Sequence, residues 1–261
     1  MNLTALPLGD GHVSSSAQVG YVFSCQTSFS NRGGAYMNGP WITGFAWNAT
    51  AKISVQGAIT WPQANYSVKV VGGQRIITTN DLPVHFTTGI FPISSSDPAF
   101  AYDRNPNTIR AQSLTYTLPA NPTVAAAPSC VNMGPIGVLA DGVALFNALD
   151  AGGRDAVAHE VLDSCGGHPD MSSEYHHHDI PPCLLATAKG TSTLVGYAKD
   201  GFGIYVERDA QGNLPTNADL DGCHGRVSTI LWDGHEVSMF HYVATAEYPY
   251  TVGCYMGTSV Q

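Results

Sequence analysis

The chain has 261 residues, only 12% of them charged, and a formal net charge of −9. That charged fraction is about half the usual share, and with four lysines and no basic run the chain has no footprint for a phosphate backbone, which excludes nucleic acid as a partner. No stretch approaches the roughly 18 consecutive apolar residues of a spanning helix, which excludes membrane insertion of that kind.

Six cysteines, none in a CxxC pair, point to disulfides and an oxidising compartment. The opening MNLTALPLGDGHVSSS has neither a basic nor an apolar leader region and reads as a mature start, so a secreted or periplasmic location is expected. Residues 1–125 read as an N-terminal β-rich region. AKISVQGAITWP, YSVKVVGG, QRIITTN and SLTYTLPANP are short, β-branched runs that end in Gly, Pro or Asn. The stretch ANPTVAAAPSC, Ala120 to Cys130, has no periodicity and marks the boundary with a second region, 126–261.

That second region contains an internal duplication. DGVALFNALDAGGRD from Asp141 lies over DGFGIYVERDAQGN from Asp200, HEVLDSCGGHP over NADLDGCHGRV, and YHHHDIPPC over FHYVATAEYPYTVGC. The copies span 141–183 and 200–254. Asp150 then falls opposite Asp209, Asp163 opposite Asp221, His176 opposite His241, and the two cysteines of one copy opposite those of the other. Pairing within copies gives Cys165–Cys183 and Cys223–Cys254 and leaves Cys25 for Cys130, although a pairing swapped between copies would respect the duplication too. The expected fold is mainly β (α+β): an N-terminal antiparallel β layer packed with a duplicated, disulfide-bonded, β-rich C-terminal half containing short helices. A bridge between the regions favours one cooperative unit. The two copies are expected to pack on each other about a pseudo-twofold axis through the apolar faces of ALFNAL and FGIYV.

The run Tyr175-His176-His177-His178, with the blocks FPISSSDPAFAYDRNPN, PIGVLADGVALFNALDAGGRDAVAHEVLDSCGGHP, GYAKDGFGIY, LDGCHG and YPYTVGCYMG, resembles the YHYH-domain family of secreted, mostly bacterial proteins. The resemblance implies an exported protein and places the site at this run without naming a reaction. The family's run would have tyrosine at position 177, and the second copy reads Phe240-His241-Tyr242-Val243, with Arg226 in the place of His168. Only the first copy keeps a full histidine set, so the site is expected to be one-sided.

In a strand His176 and His178 share one face, with Tyr175 and His177 on the other. His168 on the Cys-Gly-Gly loop completes a candidate metal set of His168, His176 and His178, which suits zinc or copper with a position left open for water or substrate. HEVLD reads as a helical turn that puts His159 and Asp163 on one face as orienting groups or general base. The first functional expectation is therefore a metal-dependent extracellular enzyme, a hydrolase or a copper-dependent oxidoreductase, acting on a small-molecule or polysaccharide substrate. The second is a metal-free polysaccharide lyase or glycosidase, in which Tyr175 and a histidine such as His241 move protons and Arg226 neutralises a substrate carboxylate. A third is a non-catalytic copper- or glycan-binding module. The absence of a Walker loop, a dinucleotide fingerprint and a G-x-S-x-G elbow leaves no nucleotide or organic cofactor to expect.

Overall fold

The second half of the chain folds into one eight-stranded sheet, and its strand order displays the duplication. In the computed structural model, which describes residues 2–29 and 34–260, the first copy and the segment just before it supply β1 (Pro135–Leu139), β2 (Ala144–Phe146), β3 (Gly167–Pro169) and β4 (Tyr175–His177). The second copy and the segment just before it supply β5 (Ser192–Ala198), β6 (Gly203–Glu207), β7 (Gly225–Trp232) and β8 (His235–Val243). The order β3-β4-β2-β1-β5-β6-β8-β7 is a palindrome of equivalents about the antiparallel β1–β5 pair. Within each half the inner pairing is parallel, β2 with β4 and β6 with β8, and the outer pairing antiparallel. The copies are thus related by a pseudo-twofold axis as expected, but they join edge to edge, because shared backbone hydrogen bonds between β1 and β5 leave each copy's apolar faces free to take other layers.

Those layers come from the first region, which is a set of small ladders. Tyr66–Val71, Gln74–Thr79 and Leu114–Pro119 form a three-stranded antiparallel sheet. Leu6–Pro7, Ala46–Trp47 and Ile42–Thr43 form another, and two two-stranded pairs complete the region. The stretch AKISVQGAITWP is a strand only at Ile59–Thr60, because Val55 instead bridges to Asp163. Ile77, Tyr116 and Leu118 pack on Val138, Tyr197, Tyr205 and Trp232. Leu6, Val22, Trp41 and Trp47 share a second cluster with Ile136, Leu145, Ile204, Phe240 and Val252. At roughly 1.5–3 kcal/mol for each large apolar side chain fully buried, these contacts bind the ladders to the sheet.

Two short α-helices occur among the described residues, α1 (Ala156–His159) and α2 (Pro182–Leu185). All six cysteines are bridged, Cys25–Cys130, Cys165–Cys183 and Cys223–Cys254, the pairing that the duplication favours. HEVLD is not a helical turn. α1 stops at His159, Glu160 is extended at ψ 139°, and the Val161 N–H donates to the Asp103 carboxylate, so His159 and Asp163 do not share a helix face.

Candidate functional site

β3 and β4 are adjacent and antiparallel, with His168 opposite His176. The two-residue period then puts His178 beside His176 on the same face. The result is a buried cluster of His168, His176 and His178 whose ligand nitrogens all lie within 4.8 Å of one another. Two of the rings are fixed by their far nitrogens: His176 Nδ1 donates to the Glu174 carbonyl at 3.2 Å and His178 Nδ1 to the Asn147 carbonyl at 2.5 Å. Each Nε2 is left as a lone pair facing the cluster, the way metal-ligating histidines are held by a second hydrogen bond. Phe146 stacks on His176 at 3.8 Å between centroids and limits its tilt.

A carboxylate lies beside two of the three rings. The extended backbone at Glu160 turns its carboxylate inward, with Oε2 3.4 Å from His168 Nε2 and 3.5 Å from His178 Nε2, while those two nitrogens are 3.2 Å apart. An ion held by ~2.0–2.1 Å bonds at tetrahedral angles sets its donors about 3.3 Å apart. Glu160 Oε2 is buried without a hydrogen-bond partner, an arrangement that costs free energy unless something else occupies its lone pair. Burial first, then the neighbouring Asp103 and Asp150 carboxylates, hold the Glu160 carboxyl well above its ordinary range. Burial and the mutual proximity of the rings hold His168 and His176 well below the usual imidazole value, and burial pulls His178 down to about 4. Three neutral imidazoles and a carboxylate fit a divalent transition metal; a cation there would occupy the orphaned Glu160 Oε2 and favour the suppressed carboxylate charge.

The cluster faces a cavity of about 590 Å³, in the range of small-molecule sites. Its walls include Met133, Phe146, Leu149 and Pro169, with Tyr36 and Arg104 brought in from the first region.

The other residues expected to act here sit elsewhere. His159 lies outside the cavity lining, and its Nε2 is bound by Asp10 at 2.9 Å. Asp163 is a structural knot, accepting from the backbone N–H of Gly89, Cys165 and Gly167 and from the Tyr175 hydroxyl. Tyr175, wholly buried on the opposite face of β4, is committed to that carboxylate, and burial raises its hydroxyl well above the ordinary value. On the same face His177 pairs with Asp141 at 3.1 Å, as Tyr242 does with Asp200 at 2.5 Å in the second copy. A histidine thus does at 177 what tyrosine does in the other copy.

Arg226 and His241 occupy the second copy's equivalent of the cluster, where Glu207 closes it. Arg226 Nε lies 2.9 Å from Glu207 Oε2 and His241 Nε2 lies 3.0 Å from Oε1. Val243 replaces His178. Here an internal ion pair fills the space that the first copy leaves to three imidazoles. Glu160 is the site residue that the sequence did not reveal; the only signal was a carboxylate eight residues before His168, obscured by the apparent helical pattern of HEVLD.

A family model described as YHYH protein matches residues 115–214. That span holds the whole three-histidine cluster and Glu160. No curated protein and no solved structure matches the chain.

Proposed function

Because residues 115–214 match the YHYH family model, and the chain carries three disulfides with no helix among the described residues long and apolar enough to cross a membrane, we propose that this is an exported metal-dependent enzyme. Its centre would be held by His168, His176, His178 and Glu160. The observation that carries the proposal is the convergence of two imidazole nitrogens and a carboxylate oxygen at 3.2–3.5 Å on a spot where that buried oxygen lacks a hydrogen-bond partner. The spacing and the mixed nitrogen and oxygen donors favour zinc, with copper as the second candidate for a site rich in imidazole. When bound, such an ion polarises a substrate oxygen or activates water. The chain's own contribution is to hold the rings by the Glu174 and Asn147 carbonyls, to place Glu160 where it can ligate or take a proton, and to wall the centre with Phe146 and Leu149. The metal-free acid–base alternative is weakened because Tyr175, Asp163, Arg226 and His241 are all engaged away from the cavity.

Elemental analysis of protein prepared without a nickel column or histidine tag tests the proposal. One zinc or copper per chain is expected, lost in His176→Ala. Absence of any transition metal from protein that can neither be loaded by zinc nor stabilised by it would sink the idea.

A further inference from the structure

The wall of the cavity that lies outside the family segment carries a cation with its binding edges free. Arg104 lies over the ring of Tyr36 at 3.5 Å and near that of Phe100 at 5.2 Å. Stacking uses the flat face of a guanidinium and leaves its N–H edges directed outward, the geometry that suits a planar carboxylate. Among the described residues no carboxylate pairs with it within 4.0 Å, in contrast to Arg75, Arg154 and Arg226, each of which has a partner. The acidic residues that share the lining are already engaged. Asp150 holds Arg154 and two backbone N–H groups, Asp103 accepts from Val161 and Asn105, Asp170 accepts from Ser172 and Glu174, and Glu160 belongs to the histidine cluster. The loop that carries Arg104 is pinned over β3, because both Asn105 and Asn107 donate side-chain hydrogen bonds to the Pro169 carbonyl.

The rest of the wall is apolar, with Met133, Phe146, Leu149 and Pro169, and Met171 at 90% exposure at its edge. One face of Tyr36 is covered by Arg104 and one face of Phe146 by His176. The aromatic faces that would stack a neutral sugar are therefore partly taken, while the guanidinium edge is open. We propose that the cavity takes a small carboxylate-bearing molecule with an apolar or aromatic body, its carboxylate held by Arg104 and its other end directed towards the histidine cluster. This deepens the metal-centre proposal by naming a substrate class, and rests on it for the reacting end of the molecule. It also moves the anion-binding role expected of Arg226 to Arg104, and makes residues outside the family segment determine specificity.

The test is a calorimetric or NMR titration of the full chain with benzoate, phenylacetate and 3-phenylpropionate, each against its neutral amide, in zinc-loaded and chelator-treated protein, with zinc content measured in parallel. At least one acid should bind tighter than its amide in both preparations. Arg104→Gln, at an exposed side chain that is not a proposed ligand, should weaken that acid by roughly 10–100-fold, the range for hydrogen bonds to a charged group, with zinc content unchanged. No binding by any of the acids, equal binding of acid and amide, or an Arg104→Gln variant that binds as the parent does would overturn the inference. The two proposals fail separately: zinc retained without Arg104-dependent acid binding removes this one alone, and Arg104-dependent binding in protein that takes up no zinc removes the metal centre alone.

Discussion

Replacing Glu160 by glutamine should have opposite effects on the metal-free and the metal-loaded protein. In the metal-free state the side chain is 9% exposed and Oε2 has no hydrogen-bond partner. An unsatisfied buried polar group costs about 1–3 kcal/mol, and at about 2–4 °C per kcal/mol for a chain of this size the isosteric amide should raise the midpoint of thermal unfolding by roughly 2–12 °C. The sign depends on pH. Burial and the Asp103 and Asp150 carboxylates raise the folded pKa well above the ordinary 4.5, so the folded state binds a proton that the unfolded chain has released. Wild-type stability therefore falls as pH rises above about 4.5, and the advantage of glutamine should vanish below it. With zinc the order reverses. Taking the 10–100-fold loss typical of a supporting residue as a lower bound for a ligand, the variant forfeits about 1.4–2.7 kcal/mol of metal-linked stability, so its zinc-induced rise in midpoint should be several degrees smaller. Differential scanning fluorimetry at pH 4 and pH 7, with chelator or with zinc, reads all four arms. A glutamine variant with an undiminished zinc-induced rise would falsify the placement of Glu160 among the donors.

Three further outcomes follow from the same geometry. His178→Ala should remove the metal while leaving the fold intact, whereas His241→Ala should lower stability, because it leaves Glu207 with one partner fewer, without changing metal content; metal loss in His241→Ala would show that the second copy contributes to the site. His224, buried and bonded to Thr245 at 3.1 Å, is pulled by burial to about 3 from an unfolded value of 6.5, so the stability it contributes above pH 6.5 is lost as pH falls towards 3, at about 1.4 kcal/mol per pH unit. His224→Asn, a residue that tolerates the left-handed backbone at φ 70°, should flatten the acid limb of an unfolding series, and an unaltered limb would count against that burial. Replacing both Cys25 and Cys130 by alanine releases a loop closed across 105 residues and should cost about 4–5 kcal/mol on the chain-entropy account, more than the corresponding double replacement at Cys165 and Cys183, with its separation of 18; the reverse ranking in denaturant titrations would contradict it.

The features that the sequence determined by itself are those recorded as order and period along the chain. The aligned Asp-Gly starts, cysteines and histidines of the two copies imply equivalent folds, and the palindromic sheet is their consequence, since equal segments form equal pairings. The same alignment favoured the disulfide pairing that is observed. The alternation in Tyr175-His176-His177-His178 separates two faces of a strand whatever surrounds it, so the lone pairs of His176 and His178 were bound to converge once β4 formed. Tertiary structure decided what meets those faces. Glu160 enters the cluster only because α1 ends at His159 and Asp103 captures the next backbone N–H, a contact between residues 58 positions apart. Glu207 closes the second copy, and Arg104 reaches the cavity from a loop fixed by Asn105 and Asn107 on Pro169. None of these partners is related by a strand or helix period to the residue it meets. Their proximity arises from the pairing of β6 with β8 for Glu207 and from contacts of the first region with the sheet for Glu160 and Arg104, and such contacts bring together residues that no local pattern along the chain relates.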